Sequence, residues 1–274
     1  MTDSTIAFIG GGNMARSLIG GLVARGMPAS AIRVAEPVAE LRDALVHDFG
    51  ITPFAHASEA ADGAATWVLA IKPQAMRMAC EGLAPIARER KSSSVISIAA
   101  GITTAQLERW LGIDIGVVRA MPNTPALLGA GVTGLFANAR VDSAGRQLAE
   151  RLLGTAGQTV WLDDEDLMDA VTAVSGSGPA YVFLLAEAMI AAARSEGLPA
   201  DTARTLALQT ILGAARMLTE GDEEPVELRR RVTSPDGTTQ AAIESLETGG
   251  LSTLVATAIH AARERGRELS AAND

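Results

Sequence analysis

Five short, largely apolar runs recur through the first 120 residues, with helix-like stretches between them. They read Thr5-Ile-Ala-Phe-Ile9, Ile32-Arg-Val-Ala35, Thr66-Trp-Val-Leu-Ala-Ile71, Ser94-Val-Ile-Ser-Ile98 and Ile115-Gly-Val-Val-Arg119. A strand with one wet face alternates apolar and polar residues, whereas an unbroken apolar strand is covered on both faces. Residues 14–25, 38–48 and 74–88 carry helical spacing. The alternation predicts a doubly wound α/β domain whose mostly parallel sheet lies between layers of helices. Gly134-Leu-Phe-Ala137 and Gln158-Thr-Val-Trp-Leu162 are expected to complete that sheet. From Asp163-Asp-Glu-Asp166, which reads as an acidic helix start, the chain turns Ala- and Leu-rich at helical spacing. Helices are expected near 165–174, 179–196, 200–220, 225–232, 237–248 and 250–269. The predicted organisation is an α/β domain over 1–162 and an all-α domain over 163–274.

Composition narrows the class of protein. The net charge of −9 argues against a nucleic-acid binder, which needs a clustered positive field. That charge is unevenly spread: residues 1–162 carry 14 basic and 13 acidic side chains, residues 163–274 carry 9 and 19. The first half is thus free to bind a polyanionic ligand. Cys80 is the one cysteine and there are three histidines, so neither an internal disulfide nor a structural metal cluster is expected. Met1-Thr-Asp-Ser4 lacks a basic, then apolar, leader pattern. No unbroken apolar run approaches the roughly 20 residues of a membrane span. A soluble, cytoplasmic globular protein without membrane or nucleic-acid partners is the expectation.

Gly10-Gly-Gly12-Asn-Met-Ala15 follows the first strand and opens the first helix, with spacing G-x-G-x-x-A. The first glycine permits the tight turn and the second lets backbone approach a pyrophosphate. Ala15 allows close packing of helix on sheet. The N–H groups at the helix start then face the phosphates. This position, at a strand-to-helix turn opening an alternating pattern, points to a nicotinamide dinucleotide. Glu36, at the end of the second strand, can accept a hydrogen bond from a ribose 2′-hydroxyl and would repel a 2′-phosphate. Arg33 and Arg42 stand near enough in sequence to soften that repulsion. The cofactor is therefore expected to be NADPH or NADH, with Glu36 leaning to NADH.

Further loops carry polar groups at strand or helix ends. Lys72-Pro73-Gln74 follows the third run, and Met121-Pro-Asn-Thr-Pro125 follows the fifth. Ser175-Gly-Ser-Gly-Pro-Ala-Tyr181 separates two helices, and Val232-Thr-Ser-Pro-Asp-Gly-Thr-Thr239 precedes another. Singly, each is an ordinary turn or cap. In this order and separation, with I-G-G-G-N-M-A and A-I-K-P-Q, they resemble the Δ1-pyrroline-5-carboxylate reductase family over nearly the whole chain. One departure is Asp236, where the family usually has glycine.

The resemblance implies an N-terminal Rossmann-like domain and an all-α C-terminal dimerisation domain. It implies reduction of 1-pyrroline-5-carboxylate to L-proline, the last step of proline biosynthesis. Cofactor contacts map to Ile9, Gly10, Gly11, Gly12, Asn13, Met14, Glu36, Ala70, Ile71, Lys72, Pro73, Ala99 and Ala100. Substrate contacts map to Ser234, Gly237, Thr238 and Thr239, with Asn123 on the nicotinamide side. It further implies a homodimer through the C-terminal helices and often a decamer. Thr239 is the expected catalytic hydroxyl beside the imine nitrogen, the alternative being a plain helix cap. Lys72 is read as acting through the backbone of the cofactor loop, the alternatives for its side chain being a catalytic acid, a phosphate contact or an idle exposed group. Tyr181 is expected to pack between helices, and Cys80 to be a small buried residue. A β-hydroxyacid dehydrogenase is disfavoured, because that class needs a lysine in its helical half and none follows Lys91. A non-catalytic dinucleotide sensor would have no need of the 175–181 and 232–239 loops.

Overall fold

The computed structural model describes residues 5–89 and 94–272. The leader reading of Met1-Thr-Asp-Ser4 lies outside those residues. By its contacts the chain forms two compact units: one runs to Ser177 and resumes at Ala261, and the other is Gly178–His260.

In the first unit a single sheet takes the order β3-β2-β1-β4-β5-β6-β7-β8. Its strands are β1 (Ile6–Ile9), β2 (Ile32–Ala35), β3 (Thr52–Phe54), β4 (Thr66–Leu69), β5 (Ser94–Ser97), β6 (Val117–Met121), β7 (Gly131–Ala137) and β8 (Gly157–Trp161). All neighbours pair in parallel except β6 and β7. The helices are α1 (Asn13–Ala24), α2 (Ala39–Phe49), α3 (Ala57–Ala61), α4 (Pro73–Glu89), α5 (Thr104–Leu111), α6 (Ser143–Leu153) and α7 (Met168–Val171).

Successive strand residues point to opposite faces, so β1 feeds two cores at once. Ile6 and Phe8 pack with Leu18 and Ile19 of α1, Leu45 of α2 and Leu152 of α6. Ala7 and Ile9 pack with Ala60 of α3, Met76 and Leu83 of α4 and Leu107 of α5. This two-sided burial is the physical reason for the continuous apolar runs. At β1 the order of connections reverses, which opens a crevice beyond the carboxyl ends of β1 and β4.

Several elements differ from the sequence expectation, the short helix α3 among them. β3 was not foreseen, being three residues long with Pro53 inside; it survives as the edge strand, where a missing N–H is tolerated. α5 and α6 were likewise unforeseen, although Thr103 caps α5 through a reciprocal Thr103–Gln106 box and Asp142 caps α6. The single helix expected over 165–174 is instead a 3-10 turn (Glu165–Leu167), α7, and a π-turn (Thr172–Gly176) closed by Ser177 N–H donating to the Thr172 carbonyl at 2.8 Å.

The last strand ends at Trp161, yet the compact unit runs on to Ser177. Buried Arg119 of β6, 4% exposed, holds the intervening segment. It pairs with Glu165 at 3.3 Å and Asp169 at 3.5 Å, and Glu165 also accepts from Thr104 N–H and Oγ1, both at 2.8 Å. The acidic start at 163–166 therefore does more than suit a helix dipole.

The second unit contains α8 (Gly178–Ser195), α9 (Ala200–Glu220), α10 (Pro225–Arg231), α11 (Thr238–Thr248) and the beginning of α12 (Leu251–Ala272). Its buried apolar residues among those described are only Ala186, Ala203 and Ala207, whereas Phe183, Leu184, Leu185, Leu212 and Leu254 are exposed. By length and composition the helical stretch Glu165–Ser195 could also cross a membrane. It contains no unbroken apolar run of that length, since Ser, Thr, Gly and charged residues interrupt it.

Candidate functional site

The glycine-rich turn is built as its spacing requires. Gly10 sits at φ +104°, a conformation open to glycine, and a β-carbon there would lie 2.5 Å from the Ala70 carbonyl oxygen. Its N–H donates to the Ala35 carbonyl at 2.9 Å, and Ala70 N–H donates to the Ile9 carbonyl at 2.8 Å. Ile9, Gly10, Ala70 and Ile71 thus converge at the switch point. Gly12 is the opposite case: a β-carbon added there would meet nothing within 4 Å. That open space lies at the N-cap of α1, which has no side-chain cap, so the N–H groups following Gly12 remain available to an anion. Asn13 and Met14 begin the helix. These features fit a dinucleotide pyrophosphate.

Glu36 is 7% exposed and its carboxylate is already engaged. Oε2 accepts from Gly11 N–H and Oε1 from Val38 N–H, each at 3.0 Å. Each oxygen keeps a second lone pair, so the carboxylate braces the turn and still has accepting capacity. The nearby arginines are committed to backbone. Arg42 donates to the Glu36 and Pro37 carbonyls, both at 2.8 Å; Arg33 donates to the Ala60 and Glu59 carbonyls at 2.9 and 2.6 Å. Beside the turn lies a mainly apolar cleft of about 360 Å³, bordered by Gly10, Ala35, Pro37, His56, Ser58, Ile71 and Met78.

The loop Ala70-Ile-Lys-Pro73 leads into α4, which starts at Pro73; Lys72 is exposed, and its carbonyl accepts from Ala75 N–H at 3.0 Å. Ala99 is buried and Ala100 exposed just beyond β5. Asn123 is half-buried, and both ends of its side chain meet backbone: Nδ2 donates to the Ser175 carbonyl at 3.1 Å, and Oδ1 accepts from Val132 N–H at 3.0 Å. Ser17 of α1 donates to the Ala126 carbonyl at 2.7 Å, tying the loop after β6 to the glycine-turn helix. Neither the Arg119 pairs nor this tether was legible in sequence, since the partners stand 46 to 109 residues apart. Cys80 is buried in α4, and burial pushes its thiol up to about 12.

In the second unit, Ser234, Gly237, Thr238 and Thr239 gather at the start of α11. Gly237 is the N-cap, again without a side-chain cap, so Thr239 stands at the second helical position rather than as the cap. Ser234 and Thr238 are exposed and Thr239 half-buried. Asp236 is the one described non-glycine residue with positive φ, at 59°. That left-handed geometry explains why glycine suits the position. No group of three or more His, Cys, Asp or Glu side chains among the described residues is arranged to hold a metal.

Comparison with known proteins gives consistent matches. A family model described as pyrroline-5-carboxylate reductase dimerisation matches residues 165–269, and one described as NADP oxidoreductase coenzyme F420-dependent matches 5–101. The pyrroline-5-carboxylate reductase of Pseudomonas aeruginosa is 52% identical over 270 residues, 98% of each chain. That of Haemophilus influenzae is 41% identical over 270 residues, again 98% of each. The solved structure of a pyrroline-5-carboxylate reductase from Coxiella burnetii superposes with TM-score 0.93 at 45% identity, covering 98% of this chain and 99% of that one. A Plasmodium falciparum pyrroline carboxylate reductase with NADP bound gives 0.85 at 28% identity, with coverage of 98% and 99%.

Proposed function

The chain belongs to the pyrroline-5-carboxylate reductase family, and on that footing we propose that it reduces 1-pyrroline-5-carboxylate to L-proline with a nicotinamide dinucleotide. The observation that carries this reading is the 52% identity to a named reductase along 98% of both chains. It makes the protein an oxidoreductase acting on a CH–NH group, at the last step of proline biosynthesis.

The bound dinucleotide supplies the hydride for the imine carbon. The task left to the protein is mainly binding and orientation. Gly10, Gly11, Gly12, Asn13 and Met14 would hold the pyrophosphate, with Ile9, Ala70, Ile71, Lys72, Pro73, Ala99 and Ala100 lining the path beyond it. Ser234, Gly237, Thr238 and Thr239 would hold the substrate carboxylate at the uncapped start of α11, where N–H groups and the helix dipole favour an anion. The Thr239 hydroxyl would orient the imine nitrogen or relay its proton. No histidine stands in any of these motifs, so proton supply is assigned to a hydroxyl or solvent.

We read NADH as the preferred cofactor, although NADP is the nucleotide in the Plasmodium relative. The support is Glu36, a buried carboxylate at the end of β2, and the two arginines committed to carbonyls rather than held ready for a phosphate. We also propose a homodimer through the helices of residues 163–274, five dimers forming a decamer as the family resemblance implies. The exposed apolar side chains of α8 and α9 support a protein partner, and so does the dimerisation match over 165–269 in preference to a lipid surface. The lone buried thiol is in keeping with the cytosol.

The test is a steady-state assay of the purified protein with pyrroline-5-carboxylate and either NADH or NADPH. Oxidation of the nucleotide with formation of proline is expected, faster with NADH. No turnover with either nucleotide would sink the assignment.

A further inference from the structure

The loop after β6 and the π-turn of Thr172–Gly176 meet at the carboxyl end of the parallel strands, and Asn123 joins them. We infer that Asn123 is a positioning residue for the reduction, acting through that π-turn rather than by holding substrate.

Asn123 lies two residues beyond Met121, the end of β6, so its side chain starts from the edge of the sheet that carries Gly10, Ala70 and Ala99. Its acceptor is fixed by Val132 N–H at the start of β7, and its donor reaches the Ser175 carbonyl inside the turn. An amide with both ends tied to backbone is rigid and well placed to hold the second partner. It has one N–H and one lone pair to spare, and neither is needed for the bracing.

The turn itself is a place where small shifts would matter. Single π-turns within helices are uncommon and gather at functional sites. This one is clamped by four contacts. Gly134 of β7 has no side chain because Val171 fills that space: a β-carbon there would sit 2.6 Å from Val171 Cγ1. Gly176 makes room in the same way for Met121, whose Cε would lie 2.5 Å from an added β-carbon. Arg119 anchors the preceding segment through Glu165 and Asp169. The remaining clamp, on the Ser175 carbonyl, is Asn123.

The turn stands on the side of the crevice toward which the nicotinamide half must run. The apolar cleft beside Pro37 and His56, on the β2 and α4 side, suits the other end of a dinucleotide whose pyrophosphate rests on the glycine turn. A turn displaced there would spoil alignment of the reacting atoms more than it would weaken binding. The inference rests on the reductase reading above, and predicts a loss that falls on kcat.

The experiment measures kcat and KM for the imine and for NADH in the wild type, Asn123→Ala and Asn123→Asp. Asn123→Asp keeps the acceptor for Val132 but turns an oxygen toward the Ser175 carbonyl. Both variants are expected to lose roughly 10-fold or more in kcat, with each KM within about threefold of wild type. A KM for the imine raised 10-fold with kcat kept would make Asn123 a direct ligand and overturn the inference, as would wild-type kinetics in both variants. Should the Asn123 variants not fold, Gly134→Ala serves: it should lower kcat by pushing Val171 and the turn, and Val171→Ala added to it should restore the rate. An unaffected Gly134→Ala, or no recovery in the double variant, would count against the mechanism. An inactive wild type would overturn the reductase reading and this inference together, whereas an active wild type with unaffected variants overturns the inference alone.

Discussion

Glu36 braces the fold, and the proposed cofactor preference rests on the same side chain. Its carboxylate holds Gly11 N–H and Val38 N–H, so it braces the phosphate turn while placing a negative charge beside the expected ribose. Glu36→Ser removes the charge and leaves a hydroxyl to bond the turn; the kcat/KM ratio of NADH to NADPH should fall roughly 10-fold or more. An unchanged ratio would show that the charge does not face the ribose. Thr239, in the second position of α11, offers its hydroxyl next to uncapped backbone N–H groups. Thr239→Ala should lower turnover roughly 10-fold, the equivalent of one positioned hydrogen bond of about 1.4 kcal/mol, and full activity would reduce it to a helix-start residue. Gly10 was legible in the sequence because glycine is nearly unique in tolerating φ +104°, and because a β-carbon there would lie 2.5 Å from the Ala70 carbonyl oxygen. The working partners of Glu36 and Asn123 were not, since backbone N–H groups and carbonyls leave no mark in a residue code.

Among the elements, the parallel strands were legible because burial on both faces forces unbroken apolar runs. Their direction was legible only in part: nothing in 131–137 distinguishes the antiparallel β7 from its parallel neighbours. The short helices α5 and α6 lie outside the expected set although each carries a side-chain cap and an apolar face, Leu107 and Leu111 on one and Ala149 and Leu153 on the other. The segment after β8 depends on a pairing that sequence does not display. Arg119 offsets two carboxylates in a largely dehydrated setting, so Arg119→Met would leave Glu165 and Asp169 facing each other without a cation. We expect a loss of about 3 kcal/mol in urea unfolding, and a loss below about 0.5 kcal/mol would show the pairs to be incidental. In the turn before α11, Asp236 adopts the left-handed geometry at φ 59°. Asp236→Ala should cost about 1 kcal/mol and Asp236→Gly should be tolerated, as denaturation midpoints would reveal; equal loss in both would point to the carboxylate rather than the backbone.

At the scale of the molecule, the second unit has too little buried apolar surface of its own to account for the exposed faces of its helices. Phe183, 61% exposed on α8, is a direct probe of what covers them. If the proposed homo-oligomer forms through this face, Phe183→Glu should lower the sedimentation coefficient toward that of a monomer, and a wild-type profile would place the interface elsewhere. The sequence showed that the character of the chain changes near residue 162, but not that the first unit reclaims the chain at Ala261. There Ser270 lies against Gly101, and its carbonyl accepts from Gln106 Nε2 at 3.2 Å. A ribosome delivers residues 178–260 before it delivers Ser270. The nascent α/β unit must therefore wait, with the surface around α5 uncovered, until the intervening helices have emerged. Its completion comes late in synthesis although most of its sheet is made first.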